Sequence, residues 1–240
     1  MKTRHTLALS VLLACSIAFS ATAVAQPVMP DLGHPWSPEE LVAAEEAALA
    51  TKPLLNVSTR VGKGFFEHVM APDYFKTLAA GRSSVPARVH LCATMLDSSR
   101  RLVDAYADAA DHGQPLHEEL ADLIVLQLNY ATLYSILATD WFSATNPKDP
   151  RVVSARAQMD QSFGAMYTGA LKVTVHPQFF TAPEVHYILR RASGTIGSFK
   201  TYFTAPTRAA LRQQLATQRP LYSNDADRQE VDKMLQALAG

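Results

Sequence analysis

Glycine is scarce in this 240-residue chain, with 10 residues against 14 prolines, and β-branched residues seldom occur in runs. A sheet protein needs many tight turns and β-branched strands, so this balance, rich in Ala and Leu, points to helix. Net charge is missing too: 22 basic residues face 22 acidic ones, which excludes a nucleic-acid binder built on bulk charge. With 48% hydrophobic residues the chain is not a disordered one either. There are only two cysteines, Cys15 and Cys92, so a disulfide framework is excluded.

Several chemical fingerprints are absent as well. No G-x-S-x-G, C-x-x-C or C-x-x-C-H occurs, and Gly62-Lys63-Gly64 lacks both the glycine spacing and the Ser/Thr of a phosphate loop. The segment His117-Glu118-Glu119-Leu120-Ala121 opens like a zinc-protease H-E-x-x-H, but Ala121 stands where the second His is required. Cys92 lies on an apolar helix stripe, and His90 is about 200° away around that helix, so an inert thiol is expected. Met and His follow no haem-ligating pattern. No cofactor and no metal are expected.

What is present begins with an export signal. Lys2 and Arg4 precede an apolar stretch from Leu7 to Phe19, and Ala23-Val24-Ala25 supplies a cleavage site before Gln26. The stretch is short for a membrane span of about 20 residues. Leu12-Leu13-Ala14-Cys15 offers a competing site that would make the chain a membrane-anchored lipoprotein through Cys15. Soluble export to the periplasm is the preferred reading, because the apolar run continues past Cys15 into a well-formed peptidase site. Cleavage removes two cations and no acid, leaving a formal charge of −2, and leaves Cys92 without a partner. The chain then divides into a signal (1–25), a flexible lead-in rich in Pro and Gly (26–36) and one all-α domain (37–240).

Helix signals fill that domain. Ser37-Pro38-Glu39-Glu40 is a capping box, and the helix after it, with Glu45 and Glu46 beside a thin apolar face, is expected at the periphery. Pro53 to Gly64 reads as a loop, followed by two short helices. Val85, Val89, Cys92, Leu96, Ser99, Val103, Tyr106 and Ala110 recur at helical spacing over one long helix. Gly113 and Pro115 allow only a short connection to the next, Leu116 to Phe142, so the two form an antiparallel hairpin. The second member is the most apolar segment; Gln127 and Asn129 at its middle argue against a membrane span. Further helices are expected from Arg151 to Val173, Ala182 to Tyr202, Ala205 to Thr217 and Asp225 to Ala239. The third long helix carries Gly164, Ala165, Gly169 and Ala170, small enough to admit a close neighbour.

Two candidate sites emerge. A cationic stripe on the Ala182 helix, with His186, Arg190, Arg191 and Lys200 and the aromatics Tyr187 and Tyr202, would suit an acidic protein partner. Acids and histidines at the hairpin turn, His112, His117, Glu118 and Asp122, would serve a hydrolase or lyase. Export, modest size and the lack of a catalytic fingerprint favour protein–protein binding, in the role of an immunity or inhibitor protein against a toxin or cell-wall hydrolase in the periplasm. Mass spectrometry of the exported protein should find an N-terminus at Gln26; a lipidated Cys15 would replace this reading by the lipoprotein one.

Overall fold

The computed structural model describes residues 28–81, 83–176 and 178–239, so the expected export signal and both candidate cleavage sites lie outside the described residues. Among the described residues every regular element is helical. They are α1 (Pro38–Ala50), α2 (Arg60–Val69), α3 (Asp73–Ala79), α4 (Val85–Asp111), α5 (His117–Ser143), α6 (Pro150–Thr174), α7 (Ala182–Phe199), α8 (Ala205–Gln218) and α9 (Asp225–Ala237), with a 3₁₀ turn at Arg219–Leu221. Local chemistry starts most of them. Ser84, Asp149, Thr204 and Asn224 cap α4, α6, α8 and α9 with their side chains, while Ser37 and Thr181 open capping boxes with Glu40 and Glu184.

α2 and the lead-in differ from the sequence-based expectation. α2 begins at Arg60, inside the segment read as a loop, because its glycine is there for contact and not for a turn. A Cβ on Gly62 would stand 2.1 Å from the Asn56 carbonyl oxygen, so only Gly lets the preceding chain lie against this helix. The lead-in is also anchored at its end. Trp36 is buried, donates from Nε1 to the Asp31 carbonyl at 2.8 Å and stacks on His68 with 4.4 Å between ring centres.

α4 and α5 make the most extensive helix contact. Gly113 closes α4 with φ +83°, and the Gln114 amide bonds back to the Ala109 carbonyl at 3.0 Å, a left-handed cap that reverses the chain within a few residues. α7 lies along the opposite flank of α5, with α9 packed on α7. α2 and α3 add an aromatic cover over α5, Tyr74 and Phe75 meeting Tyr130. α5 is long and apolar enough to cross a membrane by length and composition, and 67% of that apolar window is buried within the fold. Cys92 is among the residues packed on it: the thiol faces the Tyr130 carbonyl at 3.5 Å, and burial raises its pKa.

α1 is not the thinly packed element expected. It lies on α4 with Leu41, Ala44 and Ala48 fully buried, and Glu45 between them points inward and is fully buried as well. The Glu45 carboxyl receives the Ser98 hydroxyl from α4 and the Tyr130 hydroxyl from α5, the latter at 2.9 Å. One acid thus joins three helices. Burial pushes its pKa up to about 8; the two hydroxyls and Arg101 oppose that shift, and Glu46 adds to it.

A folded pKa above the unfolded one means that the proton is held more tightly in the native state. This contribution to stability is complete below about pH 4.5 and is lost as pH rises towards 8, by up to about 1.4 kcal/mol per unit. Glu45→Gln copies the protonated acid, with Ser98 free to accept because its own hydroxyl reaches the Met95 carbonyl at 3.2 Å. Denaturant unfolding across pH 5 to 8 should therefore show a decline in the natural chain that flattens in Glu45→Gln. Parallel profiles would remove Glu45 as its cause.

Candidate functional site

The first turns of α5 and α7 meet side by side and assemble a polar cluster. His117 Nδ1 stands 2.6 Å from Glu184 Oε1, while the second Glu184 oxygen accepts the Thr181 amide at 2.7 Å. Glu184 therefore caps α7 and ties it to α5 with the same side chain. Burial alone would lift its pKa, but the Thr181 amide and hydroxyl and His117 prevail and lower it. One turn along, Tyr187 lies beside Asp122 and its hydroxyl favours the charged carboxylate. Burial pushes Asp122 up to about 6, the nearby charges of Glu118, Glu119 and Glu184 add to this, and the Tyr187 hydrogen bond opposes it. Tyr187 is itself raised to about 12, first by burial and then by Asp122.

The cluster merges parts of the two candidate sites and dismisses others. His117, Glu118 and Asp122 lie in this cluster, with Tyr187 from the other set and with Glu184, the capping acid of α7. Glu118 is exposed at the rim. His112 does not join them: its Nδ1 bonds the Asp108 carbonyl at 2.7 Å, and it borders a hollow with Lys52 and Gln114. Among the described residues no group of three His, Cys, Asp or Glu side chains is placed to hold a metal ion.

The α7 stripe is corrected more heavily. Tyr202 is a core residue, its hydroxyl donating to the Ser135 carbonyl at 2.9 Å and meeting Thr139. It cannot anchor a partner. The reason is the helix end: α7 stops at Phe199, and the chain turns Tyr202 and Phe203 inward. His186 is held by the buried Asp227 of α9 at 2.9 Å, and Arg191 is half-buried, its Nε enclosed with no hydrogen-bond partner. Tyr187, Arg190 and Lys200 of that set are exposed, while His186 and Arg191 are half-buried.

A concavity lies elsewhere, a groove of about 640 Å³ between α4 and α6 with α5 as its floor. From His90 to Ala107 along α4, and from Gln158 to Val173 along α6, it runs about 22 to 25 Å at 1.5 Å per helical residue. α4 and α6 flank α5 without forming a packed pair. Leu96, Val103, Ile124, Phe163 and Met166 make the lining mainly apolar. The charges on the α4 rim are paired with each other. Arg100 reaches Asp97 at 3.0 Å and Asp104 at 3.2 Å, and Arg101 reaches Asp97 at 3.2 Å and also holds Glu46. Asp104 is raised by burial, against the pull of Arg100. The small residues Ala165, Gly169 and Ala170 line this groove instead of admitting a helix; only Gly164 does that, facing Thr207 of α8.

The chain matches no protein family, no curated protein and no solved structure.

Removing the hydroxyl in Tyr187→Phe takes a donor from the Asp122 carboxylate, so the Asp122 pKa should rise above about 6. Glu118→Gln removes a repelling charge and should lower it. Carboxyl-carbon NMR titration reads both, and a Tyr187→Phe variant that leaves Asp122 unmoved would separate the pair.

Proposed function

We propose that the chain is an exported, periplasmic helical protein that acts by binding, and that the α4–α6 groove is its binding site. In this reading the protein is a single bundle with the α4–α5 hairpin as scaffold. The observation that carries the reading is the groove itself: about 640 Å³ of elongated, largely apolar space, within the roughly 300 to 1,000 Å³ of small-molecule sites. Its rim charges neutralise one another, so the groove offers apolar contact in place of a free charge.

The immunity or inhibitor role keeps support from the open side of α7, where Tyr187, 39% exposed, stands one turn from the exposed Arg190. An aromatic beside an arginine is the pairing that anchors protein interfaces. The hydrolase or lyase alternative rests on Asp122, whose pKa of about 6 suits proton transfer near neutral pH. It predicts near-complete loss of activity in His117→Ala and Asp122→Ala, which binding at the groove would survive.

A photo-crosslinking residue at Met166, inside the groove, and another at Arg190, on α7, distinguish the surfaces in the cell that makes the protein. The expected result is an adduct at Met166 and none at Arg190. A protein adduct at Arg190 alone would establish the α7 reading in place of the groove, and adducts at neither would refute both surfaces.

A further inference from the structure

α1 is joined to the rest of the fold in a way that lets it move alone. Its ends are sealed by its own residues: Ser37 and Glu40 close the capping box, and the Thr51 hydroxyl bonds the Ala47 carbonyl at 2.8 Å. The chain on either side is fixed elsewhere. Before α1, Trp36 packs on α2, 6.3 Å from Phe65 between ring centres. After it, the Leu55 carbonyl accepts the Tyr106 hydroxyl at 2.7 Å and Glu119 holds the Val57 amide. Between these anchors lie only α1, the exposed Lys52 and Pro53, and their immediate neighbours. Of the fully buried apolar side chains on α1, Leu41 is large and Ala44 and Ala48 are single methyl groups, so the bonds of Glu45 weigh heavily in its docking.

The hydrogen count at Glu45 fits a protonated acid. Tyr130 donates to Oε1 at 2.9 Å, while Ser98 meets Oε2 and also reaches the Met95 carbonyl at 3.2 Å with its single hydroxyl proton. A proton on Oε2, donated to Ser98, leaves the Ser98 proton for Met95 and satisfies every atom. Among the described residues no cation touches this carboxyl. Arg101 of α4 is turned to Glu46, at 3.0 Å, and to Asp97. Tyr74 of α3 adds a neutral hydroxyl near Tyr130, the buried side chains of α2 are the apolar Phe65, Phe66 and Val69, and Glu46 of α1 itself repels a charge at Glu45. A carboxylate here would be an interior ion met only by hydroxyls, whereas water would solvate it as soon as α1 swung out.

We propose that α1 is a proton-controlled latch, held closed by the neutral Glu45 and opening as a flap between Trp36 and Leu55 when that proton is lost. Opening also takes Glu46 away from Arg101, which lines the α4–α6 groove. That consequence rests on the groove being the binding site; the latch itself does not.

The test is hydrogen exchange of the full exported protein, followed segment by segment from pH 5.5 to 9 and corrected for the intrinsic rate at each pH. Amides from Leu41 to Leu49 should exchange well ahead of those from Leu123 to Ala131 in α5, which marks an opening short of global unfolding. Their open population should rise about ten-fold per pH unit and level off above about 8, because the open form releases its proton in the ordinary carboxylate range. In Glu45→Gln the rise should shrink to what the exposed His34–Glu40 contact, 3.0 Å at the outer end of α1, contributes. Tyr130→Phe removes a donor that favours the charged form, so its rise should continue beyond pH 8; it checks the latch even where the glutamine variant does not fold. α1 exchanging no sooner than α5, an open population independent of pH, or a rise that survives undiminished in Glu45→Gln would each overturn the proposal.

Discussion

An α-helix that is apolar on nearly every side has to be covered, and α5 sets that demand for the whole chain. Leu123, Leu126, Leu128, Tyr130 and Ala131 follow one another around its circumference, all fully buried. No single neighbour can shield them, because a packed helix covers one stripe of its partner. α4 covers one flank, α7 a second, and the short helices α2 and α3 a third with aromatic side chains. α9 rests on α7 and so touches the demand only indirectly. The arrangement of the other helices follows from how α5 is wrapped.

Apolar coverage leaves sliding and rotation of the helices weakly specified, and buried acids supply the missing register. Glu45 takes donors from α4 and α5, Glu119 of α5 takes the Val57 amide at 2.8 Å, and Asp227 of α9 takes His186 of α7. Glu230 adds Ser193 and Lys233. Each is a carboxyl drawn out of water and matched by donors, some of them on another element, a geometry that a shift of one residue would break. Glu45 is the case where desolvation still dominates after pairing, which is why its proton is held so far above the usual carboxylate range.

These pairings explain what could be read from the sequence and what could not. Caps are local, so Ser37 announced its helix, and the period of Val85 to Ala110 announced α4. Gly62 misled, because a glycine required for contact with Asn56 looks the same in sequence as a glycine required for a turn. Tyr202 was placed outward by continuing α7 three residues beyond its true end, enough to rotate a surface position into the core. Glu184 reads locally as a cap; its second partner, His117, is 67 residues away and carries no local signal. The groove was the least legible feature. Leu96, Val103 and Met166 sit on apolar stripes that look the same whether a helix covers them or not, yet all three are only partly buried.

The stripe of small residues on α6 shows how a groove of this kind arises in a well-packed protein. Gly164 lets α8 approach until Thr207 stands where a Cβ would be, and two polar contacts hold the pair: Gln214 to the Thr168 carbonyl at 3.0 Å and Thr204 to Asp160 at 2.8 Å. α6 is thus committed to the α7 and α8 side, and its contact with α5 is correspondingly slight. Its other face, with Ala165, Met166 and Gly169, is turned to α4 across the floor of α5 and has no helix to meet. An ordinary core would fill such a gap with larger side chains, since unfilled apolar space costs stability. Here the walls mix small residues, Ala93 and Ala107 on α4 and Ala165 and Gly169 on α6, with the larger Leu96, Val103, Phe163 and Met166, and the gap between them stays open. Along one helix, therefore, Gly164 closes a contact with α8, while Gly169, little more than a turn further on, faces open space beside α5.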